Sequence, residues 1–408
     1  MSKSDNDAIL KMTDFISLDY LGDAYDSRML NGNCFWKKDS VGYNEFIKEL
    51  YKHVQGEKLK ISLKGFENLV IADYFDLTVN DKQVHSLRQE IEEIPVERIH
   101  ALLPLFNIQT TASKVNVGDY CLVQFQEIGK YINEMNWKIP EVHENDFKSD
   151  SYFLDVPFVD IVVEARDDDF ALDMAKSKMQ SFISFLNYCL FSDIKGVEVV
   201  SSHADTGIRS RHYLISPTSF CSSSSVNSPG IKRPDVSELL ECINREEDGN
   251  RRLIEIVQKS SLENEIEKRV FNALNWIGLA IAEKNNAIAL TQAIFAIECL
   301  LQTEIKGEPI SKSIVASISE SLAFLLGDSF EKRKDLEKQF KKIYGLRSKV
   351  AHGKGNDVTI DNVLDSIFVA KQTIIAILTT PELKNAKTIQ MVSNYIEKKR
   401  YTCAEDER

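Results

Sequence analysis

Arg347 and His352 stand five residues apart in the stretch Tyr344-Gly345-Leu346-Arg347-Ser348-Lys349-Val350-Ala351-His352-Gly353, and His352 alone among the seven histidines follows Tyr213. Together the two residue types supply what phosphodiester cleavage needs. Arginine keeps its charge at any working pH and its planar fork grips phosphate at two points, while imidazole exchanges a proton near neutrality. In RNA the attacking group, the ribose 2'-hydroxyl, is already in place. A proton-transfer group and a cation on the developing phosphorane charge then suffice, with no metal and no cofactor. DNA lacks that hydroxyl and would be spared. The opposing reading is structural: an Arg and a His that close the C-terminal end of a basic helix, where cations meet the helix dipole.

The element carrying these residues has to be a helix, and its geometry poses a problem. At ~100° of rotation per residue, Arg347 and His352 lie roughly 140° apart if the helix continues unbroken. Either the helix unwinds before Gly353, or the working pair is assembled from two subunits. The same helix is basic. Residues 331 to 354 hold nine Lys/Arg against three acids, in a chain whose formal net charge is -12. A local patch is what polyanion binding requires, because exposed charges more than ~8 Å apart are largely screened at physiological salt. Lys341, Lys342, Lys349 and Lys354 are the candidate RNA contacts, against the alternative of a solvated helix face. Upstream, Glu298 interrupts the apolar run Ala293-Ile294-Phe295-Ala296-Ile297-Glu298-Cys299-Leu300-Leu301. An unpaired buried carboxylate costs several kcal/mol, so Glu298 needs a partner; Arg347 and a polar gap or water at the helix edge are the two candidates.

The wording Tyr-x-x-Arg-Ser-Lys-Val-Ala-His-Gly, preceded by a basic helix and by an apolar helix with a single acid, resembles the HEPN superfamily and most of all its Apea-like branch. Residues 270–282 resemble the first helix of that domain, 287–305 the second, Ile314 to Leu326 the third and Glu331 to Leu346 the fourth, so the likeness covers about residues 262–400. The resemblance implies that Arg347 and His352 are the catalytic pair, that Ser348 takes the supporting polar position often held by Asn, Asp or His, and that Glu298 assists by orienting Arg347. It further implies a homodimer or higher homo-oligomer with motifs facing each other across one cleft. Members are mostly metal-independent endoribonucleases of toxin, abortive-infection and antiphage systems; others are non-catalytic RNA-binding or dimerising modules.

With 408 residues, 43% hydrophobic and 27% charged, the chain has an ordinary globular composition and room for two or three cores. The seven cysteines are scattered and form no C-x-x-C pair, which argues against a zinc site or a disulfide framework. Gln292 and Glu298 break the best candidate membrane run, and the first residues are polar, so the expected location is cytoplasmic with no membrane partner. Residues 261–408 carry 21 basic and 20 acidic side chains, so the acidic surplus lies entirely in residues 1–260. An acidic N-terminal region is poor at holding RNA alone, and could instead cover a basic cleft.

The expected class is α+β: a mixed N-terminal sensor or regulatory region over 1–220, a flexible linker and connecting helix over 221–261, an all-α HEPN-like bundle over 262–400 and a polar tail over 401–408. In the first region the composition predicts strands at 61–63 and 69–79, a helix from Val84 to about Leu103 ending at Pro104, and a strand at 120–125. It then predicts a strand over 158–165 feeding a helix capped by Asp167-Asp168-Asp169, and two strands at 197–201 and 213–216. The loop His203–His212 between them is the rival site, with two histidines, two arginines and an aspartate but no ligand spacing. Residues 220–230, rich in serine, read as a flexible connection. The expected activity is cleavage of tRNA or mRNA to a 2',3'-cyclic phosphate, with a regulatory protein or phage-derived trigger as a possible further partner. The alternative is a non-catalytic RNA-binding or dimerising adaptor.

Overall fold

The computed structural model describes residues 9–17, 27–30, 33–78, 86–135, 156–190, 211–215, 220–224, 240, 243, 248–303, 314–353 and 357–402. Among them are twelve α-helices and nine strands, an α+β fold with a helix-rich C-terminal region. The chain divides into two compact units. The first comprises 1–102, 161–176 and 212–222, the second 103–160, 177–211 and 223–408.

In the first unit, β1 (Ile16–Ser17), β2 (Ser27–Leu30) and β3 (Asn33–Lys37) form an antiparallel sheet in the order β1-β3-β2, with Ile16 opposite Lys37 and Ser27 opposite Trp36. Helix α1 (Ser40–Val54) starts at Asp39, whose carboxylate accepts from the Val41 and Gly42 amides, and buries Tyr43, Ile47, Leu50 and Val54 at helical spacing. Next come α2 (Leu63–Thr78) and α3 (Leu87–Glu93), then β4 (Glu97–Pro104), which pairs antiparallel with β8 (Arg211–Ile215). Asp167 ties two helix starts together: its carboxylate accepts from Ser62 N–H ahead of α2 and from Phe170 N–H at the head of α5 (Asp168–Leu190).

Three expectations for this region need correction. Residues 63–78 are helical, not strands, because their apolar side chains recur at three and four: Phe66, Val70, Ile71, Tyr74 and Phe75 are all buried on one face. Strand-like residue types concealed that period. The expected helix from Val84 to Leu103 covers only α3 and then turns into β4. Pro95 explains the break, since it offers no N–H and biases Ile94, here at φ -67° and ψ 125°, toward extended backbone. Phe220–Ser224 forms β9 and is not a flexible connection. The predicted strands at 120–125 and 158–165 are present as β6 (Tyr120–Gln124) and β7 (Pro157–Ala165). That at 197–201 and the loop up to Ser210 lie outside the described residues.

The second unit holds more than the bundle. The hairpin β5 (Lys114–Val117) and β6, the start of β7 and α4 (Ile128–Glu134) belong to it, with Cys121 opposite Asp160 and the Tyr131 hydroxyl donating to the Asp160 carboxylate at 2.6 Å. So does the part of α5 from Ser177 onward, followed by α6 (Asn250–Gln258), α7 (Glu265–Ala282), α8 (Asn286–Leu301), α9 (Ile314–Leu326), α10 (Phe330–Ala351), α11 (Ile360–Thr379) and α12 (Ile389–Tyr401). The four helix segments expected in residues 270–346 all form. Side chains cap the helix starts: Asn264, Asn285 and Ser329 accept from first-turn amides, and Thr359 with Asn362 makes a capping box.

Helix α8 sits at the centre, packed against α7, α10 and α11, with Ala289, Leu290, Ala293, Ile294, Ala296, Ile297, Leu300 and Leu301 buried. A helix buried nearly all round needs apolar residues nearly all round. Among the described residues the longest apolar helix is α11 rather than α8; it has the length and composition to cross a bilayer, yet half of that stretch is buried inside the unit.

Gly278 of α7 lies against α5. A Cβ there would fall 2.4 Å from Ser184 Oγ and 2.7 Å from Ser184 Cα. Because one of those atoms is backbone, Gly278→Ala should force the helices apart and lower stability by ~1–3 kcal/mol in a urea titration.

Asp73 of α2 is buried in the first unit with its Oδ2 unpartnered. Burial, a hydrogen bond to Glu90 and the charges of Glu90 and Asp76 push its carboxyl up to about 8. A raised folded-state value means stability that is complete below the ordinary carboxylate range and is lost as pH rises toward about 8. Asp73→Asn keeps a donor for Glu90 without the ionisable proton. It should raise the urea midpoint at pH ~8 and flatten the fall from pH ~5 upward.

Candidate functional site

Helix α10 runs unbroken from Phe330 to Ala351, and it sorts the motif residues onto different faces. Its inward stripe is narrow: Phe340 and Ile343 are buried, and Tyr344 and Arg347 half-buried, at spacings of three and four. Lys334, Lys338, Lys341, Lys342, Ser348, Lys349 and His352 are exposed. At ~100° per residue these seven fall in one sector roughly 120° wide, while Arg347 points some 140° from His352.

The helix does not unwind before its end. His352 is the cap residue, its backbone N–H donating to the Ser348 and Lys349 carbonyls, and Gly353 follows at φ +73°. That left-handed conformation is what glycine tolerates without strain. Of the two ways to bring Arg347 and His352 together, unwinding is therefore unavailable in one chain.

What surrounds Arg347 is aromatic. Its guanidinium lies 5.3 Å from the Phe295 ring centroid and 5.5 Å from that of Tyr344. Phe295 itself packs edge-on against Trp276 of α7 at 5.2 Å, and Tyr344 lies tilted against Phe340 at 5.8 Å. Each guanidinium–ring contact contributes ~0.5–2 kcal/mol, rising as water is excluded, and leaves the N–H edge of the fork unoccupied. Among the described residues no carboxylate lies within ion-pair distance of Arg347.

Glu298 finds a partner other than the expected arginine. The Tyr344 hydroxyl donates to Glu298 Oε1 at 2.8 Å, bridging α10 to α8. Burial, this hydrogen bond and the Glu298 charge push the Tyr344 phenol up, and Arg347 partly offsets them.

The expected RNA contacts are placed as follows. Lys341 pairs with Glu337 at 2.9 Å and Lys349 with Asp357 at 3.6 Å. Exposed pairs of this kind hold by ~0–1 kcal/mol, so phosphate can displace the acid. Lys342 is exposed, and Lys354 lies outside the described residues. Arg333 is committed to structure instead, donating to the Gly327 carbonyl at 3.1 Å with its guanidinium 4.9 Å from the Phe324 ring centroid.

Phe295, Tyr344 and Trp276 were not among the expected site residues. The signal was present: Tyr344 precedes Arg347 by three and Phe295 precedes Glu298 by three, the spacing that puts two side chains on one helix face.

Among the described residues no group of three or more His, Cys, Asp or Glu side chains is placed to hold a metal ion. A groove of about 550 Å³ lies between the β5–β6 turn and α6, lined in part by Arg251, Glu255 and Lys259. None of its lining residues belongs to α8 or α10. Comparison with family models, with curated proteins and with solved structures found no match.

Replacing Glu298 with Ala removes two of the three influences that raise Tyr344 and leaves burial. The phenol should then titrate at lower pH than in the wild type. Ring-labelled tyrosine NMR, with Tyr344→Phe to assign the signal, measures the difference.

Proposed function

We propose that this chain is a metal-independent endoribonuclease of the HEPN type, acting as a toxin or antiphage effector, whose site is completed in a homodimer. The observation that carries the reading is Arg347: a cation seated on two aromatic rings with no described acidic partner, at the end of a basic helix that closes on an exposed histidine. A guanidinium held this way is prepared for an anion, and the lysine-rich face beside His352 suits a phosphate backbone.

In this reading, Arg347 of one subunit and His352 of the other meet at one phosphodiester. The imidazole moves a proton between the ribose 2'-hydroxyl and the leaving 5'-oxygen, and the guanidinium stabilises the phosphorane charge. Ser348, on the histidine's side of the helix, supplies a hydroxyl to phosphate. Lys341, Lys342, Lys349 and Lys354 hold the strand, and the products are a 2',3'-cyclic phosphate and a 5'-hydroxyl. The N-terminal region over 1–220 would regulate access under a protein or phage-derived trigger.

A second reading is a non-catalytic RNA-binding or dimerising adaptor. The angular separation of Arg347 from His352 favours it, because one chain alone then presents a basic face without a complete catalytic pair.

End-labelled tRNA and mRNA incubated in EDTA separate the two. Cleavage should persist in chelator, leave cyclic phosphate ends, and fall by ~10²-fold or more in Arg347→Ala and His352→Ala. Salt-sensitive binding with no product, unaltered by His352→Ala, would establish the adaptor instead.

A further inference from the structure

Three features of the α8–α10 contact bear on how Arg347 is kept available. Glu298 reaches the motif helix, where the Tyr344 hydroxyl binds it at 2.8 Å, and it makes no ion pair with Arg347. Tyr344 and Arg347 share the inward stripe of α10, as Phe295 and Glu298 share a side of α8. The ring of Tyr344 also lies under the guanidinium, 5.5 Å from it. One side chain thus touches both the cation and the anion that would neutralise it.

We propose that Tyr344 is a positioning residue that keeps Glu298 from pairing with Arg347, so that the guanidinium stays open to an RNA phosphate. The inference rests on the reading that Arg347 contacts RNA. Its logic is competitive. A half-buried glutamate needs a hydrogen-bond donor; the Tyr344 phenol serves it, and the Arg347 guanidinium lies against the ring of that same tyrosine. While the phenol serves, the acid is satisfied by a neutral donor and the cation keeps its full charge toward solvent. A tyrosine phenol is protonated through the neutral range, and burial with the hydrogen bond to Glu298 pushes it further up, so the donor is not lost under working conditions. Without the hydroxyl, Glu298 turns to that guanidinium. Arg347 then binds a carboxylate that phosphate has to displace. Tyr344 takes no part in bond making or breaking; it acts through Glu298 and Arg347.

The test is the affinity of the full chain for a fluorescent RNA oligonucleotide methylated at every ribose 2'-oxygen, which binds without being cleaved. Arg347→Ala should weaken binding, which reports the functional reading by itself. Tyr344→Phe retains the ring beneath the guanidinium and should weaken binding roughly tenfold, ~1.4 kcal/mol. The double variant Tyr344→Phe, Glu298→Gln lacks the competing carboxylate and should bind near the wild-type level. A Tyr344→Phe protein that binds like wild type overturns the proposal, as does a loss that the added Glu298→Gln fails to rescue, since that marks a structural hydroxyl. If Arg347→Ala binds like wild type, Arg347 is no RNA contact, and the reading and the role given to Tyr344 fall together.

Discussion

Between Ser329 and Gly353 the chain holds unbroken α-helical register, and that single regularity decides what the Arg347–His352 motif can do. A helix that unwound one turn earlier would let the two side chains converge. This one is kept wound by the Ser329 cap, by exposed acid–lysine pairs such as Glu337–Lys341, and by a glycine that ends it only after His352. Arg347 is thereby turned toward α8 and His352 toward solvent. The proposed nuclease has to take its second group from another copy of the chain because the first copy cannot bend to supply it.

The second consequence falls on α8. Being the central helix of its unit, it tolerates polar side chains only where the packing leaves an edge, and Glu298 occupies such an edge. A carboxylate half-buried there still needs a hydrogen-bond donor. The hydrogen bond from Tyr344 satisfies the half-buried acid and fastens α10 to α8, while Phe295 on the same helix gives the guanidinium a surface to lie on. Stability of the helix contact and readiness of the cation depend on the same few side chains.

Much of this was legible in the residues. The helices within 270–346 were legible through the resemblance, and the strand at 158–165 with its helix follows from a nearly continuous apolar run, three aspartates and apolar residues recurring at three and four. The failures share a cause. Over 63–78, residue type suggested strand while residue period required helix, and tertiary burial follows period. Between Glu93 and Glu97, Pro95 broke a pattern that otherwise read through it. At the site, spacing placed Arg347 and His352 on different faces but could not say which partner Glu298 would choose. A hydroxyl and a guanidinium are both adequate donors, and only their positions after packing decide between them.

The most direct test of the two-copy site is co-expression of Arg347→Ala with His352→Ala, each inactive alone, followed by cleavage of labelled RNA in EDTA. In a mixed dimer one of the two sites keeps both an intact arginine and an intact histidine. Activity should recover toward about a quarter of wild type, since half of randomly paired dimers are mixed and each has one complete site. Physical association of the two variants with no recovery of cleavage would contradict the account.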